Sequence, residues 1–271
     1  MKYGILRAGG MARKARLMID ALYQAAPAGT GCFDRYRACE VLLVYGLGGA
    51  NRHQVGLDHI KAGGRLVALD VGYWQRTGSR QRKWRVAIGG FHSPQYIMRG
   101  SSPGPARFRG AGLKVYADRG LSDGPIMLVG NAPKSNRVGA QGWSQAKSAE
   151  LRSAFPGRRI LYRVKPKRPG EPGVDHDGLI EGPIDEALRQ VSLVVCRHSN
   201  VAVDACRLGV PVVCDDGAAA AIYPQALADH TRQPDLALRT EFLHRLAWWQ
   251  WSMDEGAQFW RWLDGMLHEF Q

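Results

Sequence analysis

The sequence predicts an α/β protein with parallel sheets, organised as two domains. Three observations lead there. Short apolar, β-branched runs alternate with helical stretches along most of the chain, and strands alternating with helices form parallel sheets with helices on both faces. The length of 271 residues corresponds to roughly two domains of ~150 residues each. The composition, 45% hydrophobic and 23% charged, is that of a globular chain and excludes wholesale disorder. A chain of this size buries about 70–75% of its unfolded surface, so it needs no disulfide or metal to hold a core.

The expected boundaries are 1–120, 121–235 and a C-terminal helical segment 236–271. Val41 to Tyr45 reads as a buried strand running into Gly46-Leu-Gly-Gly49. His53 to Lys61 reads as a helix stopped by Gly63-Gly64. Arg65 to Leu69 is a second strand, ending at Asp70, and strand–helix–strand in about 30 residues is a βαβ unit. Val86 to Ile88 is a third short strand. Residues 100–112, rich in Gly, Pro and Ser, read as a loop or linker.

In the second half, Ile126 to Val129 is a strand, and Ser144 to Phe155 is a helix with Ser144 as its N-cap. Arg159 to Val164 is a strand, and Lys165 to Asp177 carries too much Pro and Gly to be anything but loop. Ile184 to Gln190 is a short helix and Ser192 to Cys196 a strand. Val201 to Leu208 is a helix and Val210 to Cys214 a strand. No internal repeat is visible. Five of the eight tryptophans, Trp248, Trp249, Trp251, Trp260 and Trp262, lie in the last thirty or so residues. Leu243, Leu246 and Trp249, then Trp260, Leu263 and Leu267, recur at helical spacing and predict an amphipathic helix pair packed back on the body. A stacking platform for bases or sugar rings is the alternative.

Several classes are excluded. No apolar run is long enough for a membrane-spanning helix, and the N-terminus lacks the continuous apolar region of a signal peptide. The five cysteines form no C-x-x-C pair, so reduced, mostly buried thiols in a cytoplasmic protein are expected, with no zinc. There is no phosphate-binding G-x-x-x-x-G-K-[ST] and no G-x-S-x-G elbow, and Gly46 to Asn51 does not match the dinucleotide fingerprint.

The charge balance points to a polyanionic partner. Lys and Arg number 37 against 24 Asp and Glu, a net charge of +13. That excess suits nucleic acid, an acidic polysaccharide or an anionic membrane surface. Arg76, Arg80, Arg82, Lys83 and Arg85, interleaved with Trp74 and Trp84, suit a nucleic-acid backbone and an unstacked base.

The stretch 194–217 carries the chemistry. A buried strand ends at Cys196, the polar turn His198-Ser199-Asn200 opens a helix, and the helix N-terminus is a ready anion site. Asp204 lies on the same side as Asn200, four residues on. Gly209 ends the helix, Val-Pro-Val-Val begins the next strand, and Asp215-Asp216-Gly217 follows at its carboxyl end, where open α/β sheets gather ligands.

The pattern His198-Ser-Asn-x-Ala-x-Asp204-Ala-x-x-x-Gly209-Val-Pro-Val-Val resembles the nucleotide-sugar-binding half of GT-B glycosyltransferases. It is similar to capsule-type sugar transferases, which carry Glu where this chain has the shorter Asp204. The resemblance spans residues 125–225. It implies two Rossmann-like domains facing a cleft, with the donor in the C-terminal one. On it, His198, Ser199 and Asn200 would meet the donor phosphates and Asp204 the ribose. Arg163 and Lys165 match a basic element that meets the diphosphate. Asn131, Lys134 and Asp216 also lie on the turns that follow strands there. The co-substrate implied is a sugar nucleotide, first of all a UDP-sugar. Cations and a helix N-terminus can neutralise the leaving group, so no metal is required.

The N-terminal half should then hold the acceptor, with Asp70 first and His92 second as the general base that takes the acceptor hydroxyl proton. The same family includes phage enzymes that glycosylate DNA bases. On charge, a modified base in DNA is the expected acceptor, with the protein in the cytoplasm of a bacterial host. A surface or capsule glycan is the alternative acceptor, and a non-catalytic nucleic-acid-binding protein the alternative class. The sequence leaves the oligomeric state open.

Overall fold

A computed structural model describes residues 1–7, 11–46, 50–75, 83–90, 92–131, 139, 141–165 and 170–269. The chain divides into two compact units, Met1–Ser93 with Trp248–Gln271, and Pro94–Ala247. This division differs from the boundaries at 120 and 235 drawn from composition: residues 94–119 belong to the second unit, and the expected C-terminal segment splits, 236–247 with the second unit and 248–271 with the first.

The first unit begins with β1 (Tyr3–Leu6), α1 (Arg13–Gln24), β2 (Gly31–Phe33), β3 (Val41–Tyr45), α2 (Ala50–Lys61), β4 (Arg65–Val71) and β5 (Trp84–Ile88). The strands β2, β1, β3 and β4 lie side by side and parallel, with Ile5 opposite both Cys32 and Leu43, and Leu43 opposite Val67. Strands buried on both faces read as continuous apolar runs, as Val41–Tyr45 does. One face packs Leu6, Phe33, Leu42, Val44 and Leu66 against Val55 and Ile60 of α2. In α1 the buried residues Ala15, Met18, Ile19 and Leu22 recur every three or four positions, the stripe of a helix lying on a sheet. The strand β5 turns the sheet antiparallel and sets Asp70 opposite Arg85.

The second unit opens with the short helices α3 (Pro94–Ile97) and α4 (Ala106–Gly110). It continues through β6 (Ile126–Val129), α5 (Trp143–Ala154), β7 (Ile160–Arg163), β8 (Gly178–Leu179), α6 (Ile184–Arg189), β9 (Leu193–Cys196), α7 (Val201–Leu208), β10 (Val212–Cys214) and α8 (Leu236–Leu246). The sheet runs β10-β9-β6-β7-β8, every pair parallel. Chain order therefore reverses between β6 and β9, the topological switch point of a doubly wound sheet. Ile126, Leu128, Ile160, Tyr162, Leu193, Val195 and Val213 pack with Leu151 of α5 on one face. Strand residues alternate between faces, so Met127, Val129, Leu161, Arg163, Val194 and Cys196 belong to the other.

The segment before β6 is part of this unit. Tyr116 donates its amide to Arg207 O at 2.9 Å and Arg119 to Gly209 O at 2.9 Å. The buried Arg239 of α8 donates to Tyr116 O at 2.8 Å, pairs with Asp118 at 2.5 Å and bonds Cys206 O. Gly209 is the helix C-cap at φ +72°, a conformation that favours glycine. A Cβ there would also collide with Ala117 O.

The chain then returns to the first unit as β11 (Gln250–Trp251) and α9 (Gly256–Glu269). The strand β11 adds antiparallel to β5, with Trp251 opposite Trp84. Trp260 donates its indole N–H to Leu22 O at 2.9 Å, and Phe259 meets Trp84 edge-on at 4.7 Å. The expected return of the Trp-rich segment to the body holds. The expected helix pair does not: Leu243 and Leu246 belong to α8 in the second unit, while Trp249 precedes a strand. Trp249, Trp251 and Trp260 are buried, so these three indoles are core and not a stacking platform.

Other differences are local. Ser144 is not the N-cap of α5, because Gly142 holds that place in the left-handed conformation and Ser144 is buried in the first turn. Cys196, Cys206 and Cys214 are buried free thiols, and Cys32 and Cys39 are half-buried. No described helix is long and apolar enough to cross a membrane.

Candidate functional site

The switch point of the second unit collects most of the residues singled out for the donor. The strand β6 leads through Gly130 to Asn131, and its neighbour β9 leads through Arg197 to His198, Ser199 and Asn200 at the start of α7. Asn131 continues the alternation of Met127 and Val129, so it lies on the face opposite α5. It is only 7% exposed, yet its Nδ2 has no hydrogen-bond partner among the described residues. An unmet buried donor costs about 1–3 kcal/mol, a cost that a ligand acceptor would remove.

Arg163 ends β7 on the same face and is 8% exposed. It donates to Ile180 O at 3.3 Å and Gly182 O at 2.8 Å. Burial pushes its pKa down, and the carboxylates of Asp204 and Glu181 pull it back up. Asp204 therefore acts on the Arg163 charge from the first turn of α7, two strands and one helix away in sequence. Lys165, two residues on, is exposed. Arg163 is thus a buried cation that anchors the turn before α6, where a diphosphate ligand had been expected.

At the start of α7, the Ser199 hydroxyl accepts the Val201 amide at 3.2 Å. The adjacent strand end closes over this turn: Asp216 pairs with Arg197 at 3.1 Å and lies 3.4 Å from His198 Nδ1. The Asp216 amide donates to Arg197 O at 2.9 Å. Gly217 is required here for space, since a Cβ would lie 2.9 Å from His198 Cα. The sequence-predicted His198, Ser199, Asn200, Asp204 and Asp216 are therefore neighbours on two adjoining loops and one helix.

Another helix that follows a strand end, α5, is differently supplied. The Ser144 amide in its first turn donates to Glu171 at 3.2 Å, and the Trp143 indole donates to Asp215 at 2.5 Å. Burial pushes the Asp215 carboxyl up, opposed by the Trp143 bond. Protein carboxylates meet the positive end of α5, which leaves α7 as the helix N-terminus suited to a ligand anion. Glu171 carried no signal in the sequence, because it reaches α5 from a distant loop, and Asp215 stood out there only as part of the Asp215-Asp216-Gly217 turn. Lys134 lies outside the described residues.

In the first unit Asp70 and His92 come together through Arg85. Asp70 Oδ1 accepts the Val71 amide at 2.8 Å. Arg85 lies 3.8 Å from Asp70 Oδ2 and 3.4 Å from His92 Nδ1. Burial pushes the Tyr73 hydroxyl up, with Arg85 opposing. Lys83 pairs with Glu255 at 2.5 Å. Lys83 and Arg85, expected as phosphate contacts, are thus largely covered and paired inside the unit; an open basic stripe needs cations whose charge is unspent. Arg76, Arg80 and Arg82 lie outside the described residues.

No known family matches the sequence, and no curated protein matches it either. Solved structures do share its fold. One is the β-Kdo 2,7-transferase of Thermosulfurimonas dismutans KpsC, with a TM-score of 0.58 at 13% identity over 97% of this chain and 100% of that one. Another is the β-Kdo 2,4-transferase of the same protein, with a TM-score of 0.53 at 11% identity over 92% of this chain and 91% of that one. The α/β fold with two Rossmann-like units is therefore also that of these two transferase chains.

Proposed function

We propose that the protein is a glycosyltransferase that moves a sugar from a nucleotide-activated donor, held at the switch point of the second unit, to a hydroxyl of a surface or capsule glycan. The observation that carries the reading is the buried Asn131 Nδ2, which has no hydrogen-bond partner among the described residues, at the switch point with Arg163 and the start of α7. The likeness in fold runs over nearly the whole chain. Both neighbours are Kdo transferases by name, which makes Kdo the first sugar to test.

In this reading Asn131 donates to the bound nucleotide, Asp204 accepts from ribose hydroxyls, and the dipole of α7 favours the phosphate charge. In transfer with inversion, the acceptor O–H proton passes to Asp70 as the acceptor oxygen bonds the anomeric carbon. The bond from that carbon to the phosphate oxygen breaks, and its electron pair leaves with the nucleotide. A glycan acceptor is favoured over DNA because Lys83 and Arg85 spend their charge on Glu255 and Asp70.

A thermal-shift screen against CMP-, UDP- and dTDP-sugars tests the donor half, since a ligand of the folded state alone raises its apparent stability. One nucleotide series should raise the melting temperature and support sugar transfer or donor hydrolysis. No shift with any sugar nucleotide at millimolar concentration would contradict the reading.

A further inference from the structure

Two thiols that the proposed transfer does not use lie directly beneath the loops of the candidate site. Cys196 ends β9 and Cys214 ends β10, and the parallel register sets them opposite one another. Val195 and Val213 belong to the core under α5, so both cysteines point to the other face of the sheet, the face of Asn131. Both are fully buried and free. The Cys214 side chain hydrogen-bonds that of Cys196, and this bond together with burial holds the Cys214 thiol well above its ordinary pKa. The two sulfurs are therefore in contact, and Cys214 is protonated at neutral pH.

Their position ties them to the two turns that carry the site. Cys214 Sγ donates to Arg197 O at 3.4 Å, and Cys196 Sγ lies 4.0 Å from Ser199 O. Gly217 packs against Cys214 with backbone alone: a Cβ there would lie 3.0 Å from Cys214 Sγ and 2.9 Å from His198 Cα. The geometry also suits a covalent bond. Neighbouring strands lie about 4.8 Å apart, inside the roughly 4.4–6.8 Å between Cα atoms that a disulfide spans. Side chains projecting in parallel keep their Cβ atoms at about that spacing, wider than the usual ~3.5–4.5 Å. A bond formed under such strain is of the easily reduced kind.

We propose that Cys196 and Cys214 form a redox-active dithiol, oxidised by a hydroperoxide to a reversible disulfide that alters the two turns above it. With hydrogen peroxide as the oxidant, one sulfur attacks the peroxide, the O–O bond breaks, and a sulfenic acid and one water form. The second thiol then displaces the sulfenic hydroxyl, which leaves as water with the remaining thiol proton, and the S–S bond forms. Each sulfur gives up one electron, and the peroxide oxygens take them. Both S–H groups are consumed, so Arg197 O and Ser199 O lose their sulfur contacts. A buried, protonated thiol reacts slowly, so the reaction runs when the turns lift, and a ligand that holds the turns down slows it. That last effect rests on the transferase reading; the disulfide does not.

The test is peroxide treatment of the folded full chain, followed by denaturation, alkylation of the remaining thiols and peptide mass mapping. The expected product is a Cys196–Cys214 cross-linked peptide that dithiothreitol removes. Amide NMR shifts on oxidation should centre on residues 197–200 and 215–217. Cys214→Ser should leave Cys196 as a sulfenic acid that dimedone traps, with no cross-link. If that variant does not fold, mapping of the wild-type chain decides alone. Cys196 and Cys214 that stay alkylatable through a peroxide dose that oxidises Cys32 or Cys39 overturn the proposal. So does a Cys196–Cys214 bond that leaves the amides of both turns unmoved. A bound sugar nucleotide should slow the cross-link several-fold, and an equal rate overturns the lifting of the turns. If no sugar nucleotide binds the reduced chain, the transferase reading fails and the cross-link result stands. If one binds and no cross-link forms, the dithiol alone fails.

Discussion

The two sheets differ in how their carboxyl ends are furnished. In the second unit all strands are parallel, and the polar groups at the switch point come from loops that each follow a strand directly: Asn131 after β6, His198 to Asn200 after β9, Asp216 after β10. In the first unit the polar cluster depends on an antiparallel neighbour, because Asp70 meets Arg85 only through the pairing of β4 with β5. That edge is then closed by β11 and α9 from the far end of the chain. The difference teaches that the second site is a local product of strand–turn–helix chemistry, while the first is a product of long-range packing. Perturbing the packing should therefore damage the two sites unequally.

The largest test of this comparison is Trp251→Ala. Trp251 is fully buried and meets Phe259 and Trp262 at 6.0 and 5.6 Å. Its loss should cost about 3–5 kcal/mol, the range for large-to-small aromatic truncation in a core. Calorimetry should show the loss in the transition of the first unit, with nucleotide binding retained at low temperature. A uniform fall in both units would break the comparison.

Next is Arg163→Ala. Removing a buried charged donor from two backbone carbonyls should cost about 1.5–3 kcal/mol of stability, read from the denaturant midpoint of the second unit. The family resemblance pointed to lost donor affinity instead; lost donor affinity with stability unchanged would return Arg163 to the role of a phosphate ligand.

These two residues also show what was legible in advance. The pattern from Val194 to Gly217 disclosed β9, α7, β10 and their turns, because an apolar strand, a polar turn and a glycine stop sit next to one another in sequence. The strands β3 and β6 were equally plain as apolar runs. The elements β1, α1 and β2 were not, since Tyr3–Leu6 and Gly31–Phe33 are too short to stand out and gain their burial from β3. Arg163 was legible as a cation at a strand end, but its carbonyl partners, Ile180 and Gly182, lie just after β8, and no local signal encodes that approach. Arg85 was read as one of a row of exposed cations. The antiparallel register that covers it pairs β4 with β5, and the return of Gln250–Trp251 to that edge comes from residues more than a hundred positions away.

A smaller effect sharpens the donor side. Asn131→Ala removes a buried polar group whose Nδ2 has no partner among the described residues, so the unliganded protein should be unchanged or more stable by up to about 1 kcal/mol. The melting-temperature rise produced by a sugar nucleotide should shrink in the same variant. Equal stabilisation by ligand in both proteins would remove Asn131 from the site.

The smallest effect is on acid stability. Bonds from Lys2 and Tyr3 hold the Asp264 carboxyl of α9 below the ordinary aspartate value of 3.8, and bonds from Arg152 do the same for Asp175 and Asp177 in the second unit. A depressed native pKa contributes stability that is present above the unfolded value and is lost as pH falls through the folded one. Each unit should therefore lose a little stability below about pH 4, and Asp264→Asn should flatten that slope in the first unit only. The pH dependence of the two calorimetric transitions checks this.

The central claim is that the switch point of the second unit binds a nucleotide-activated sugar, and backbone amide NMR shifts during a sugar-nucleotide titration test it most directly. Saturable shifts should centre on Asn131, Arg197 to Asp204 and Asp216, and Asp204→Ala should weaken the fitted affinity about tenfold, the value of roughly one charge-assisted hydrogen bond. Saturable shifts confined to the first unit, or an affinity unchanged in Asp204→Ala, would contradict the account.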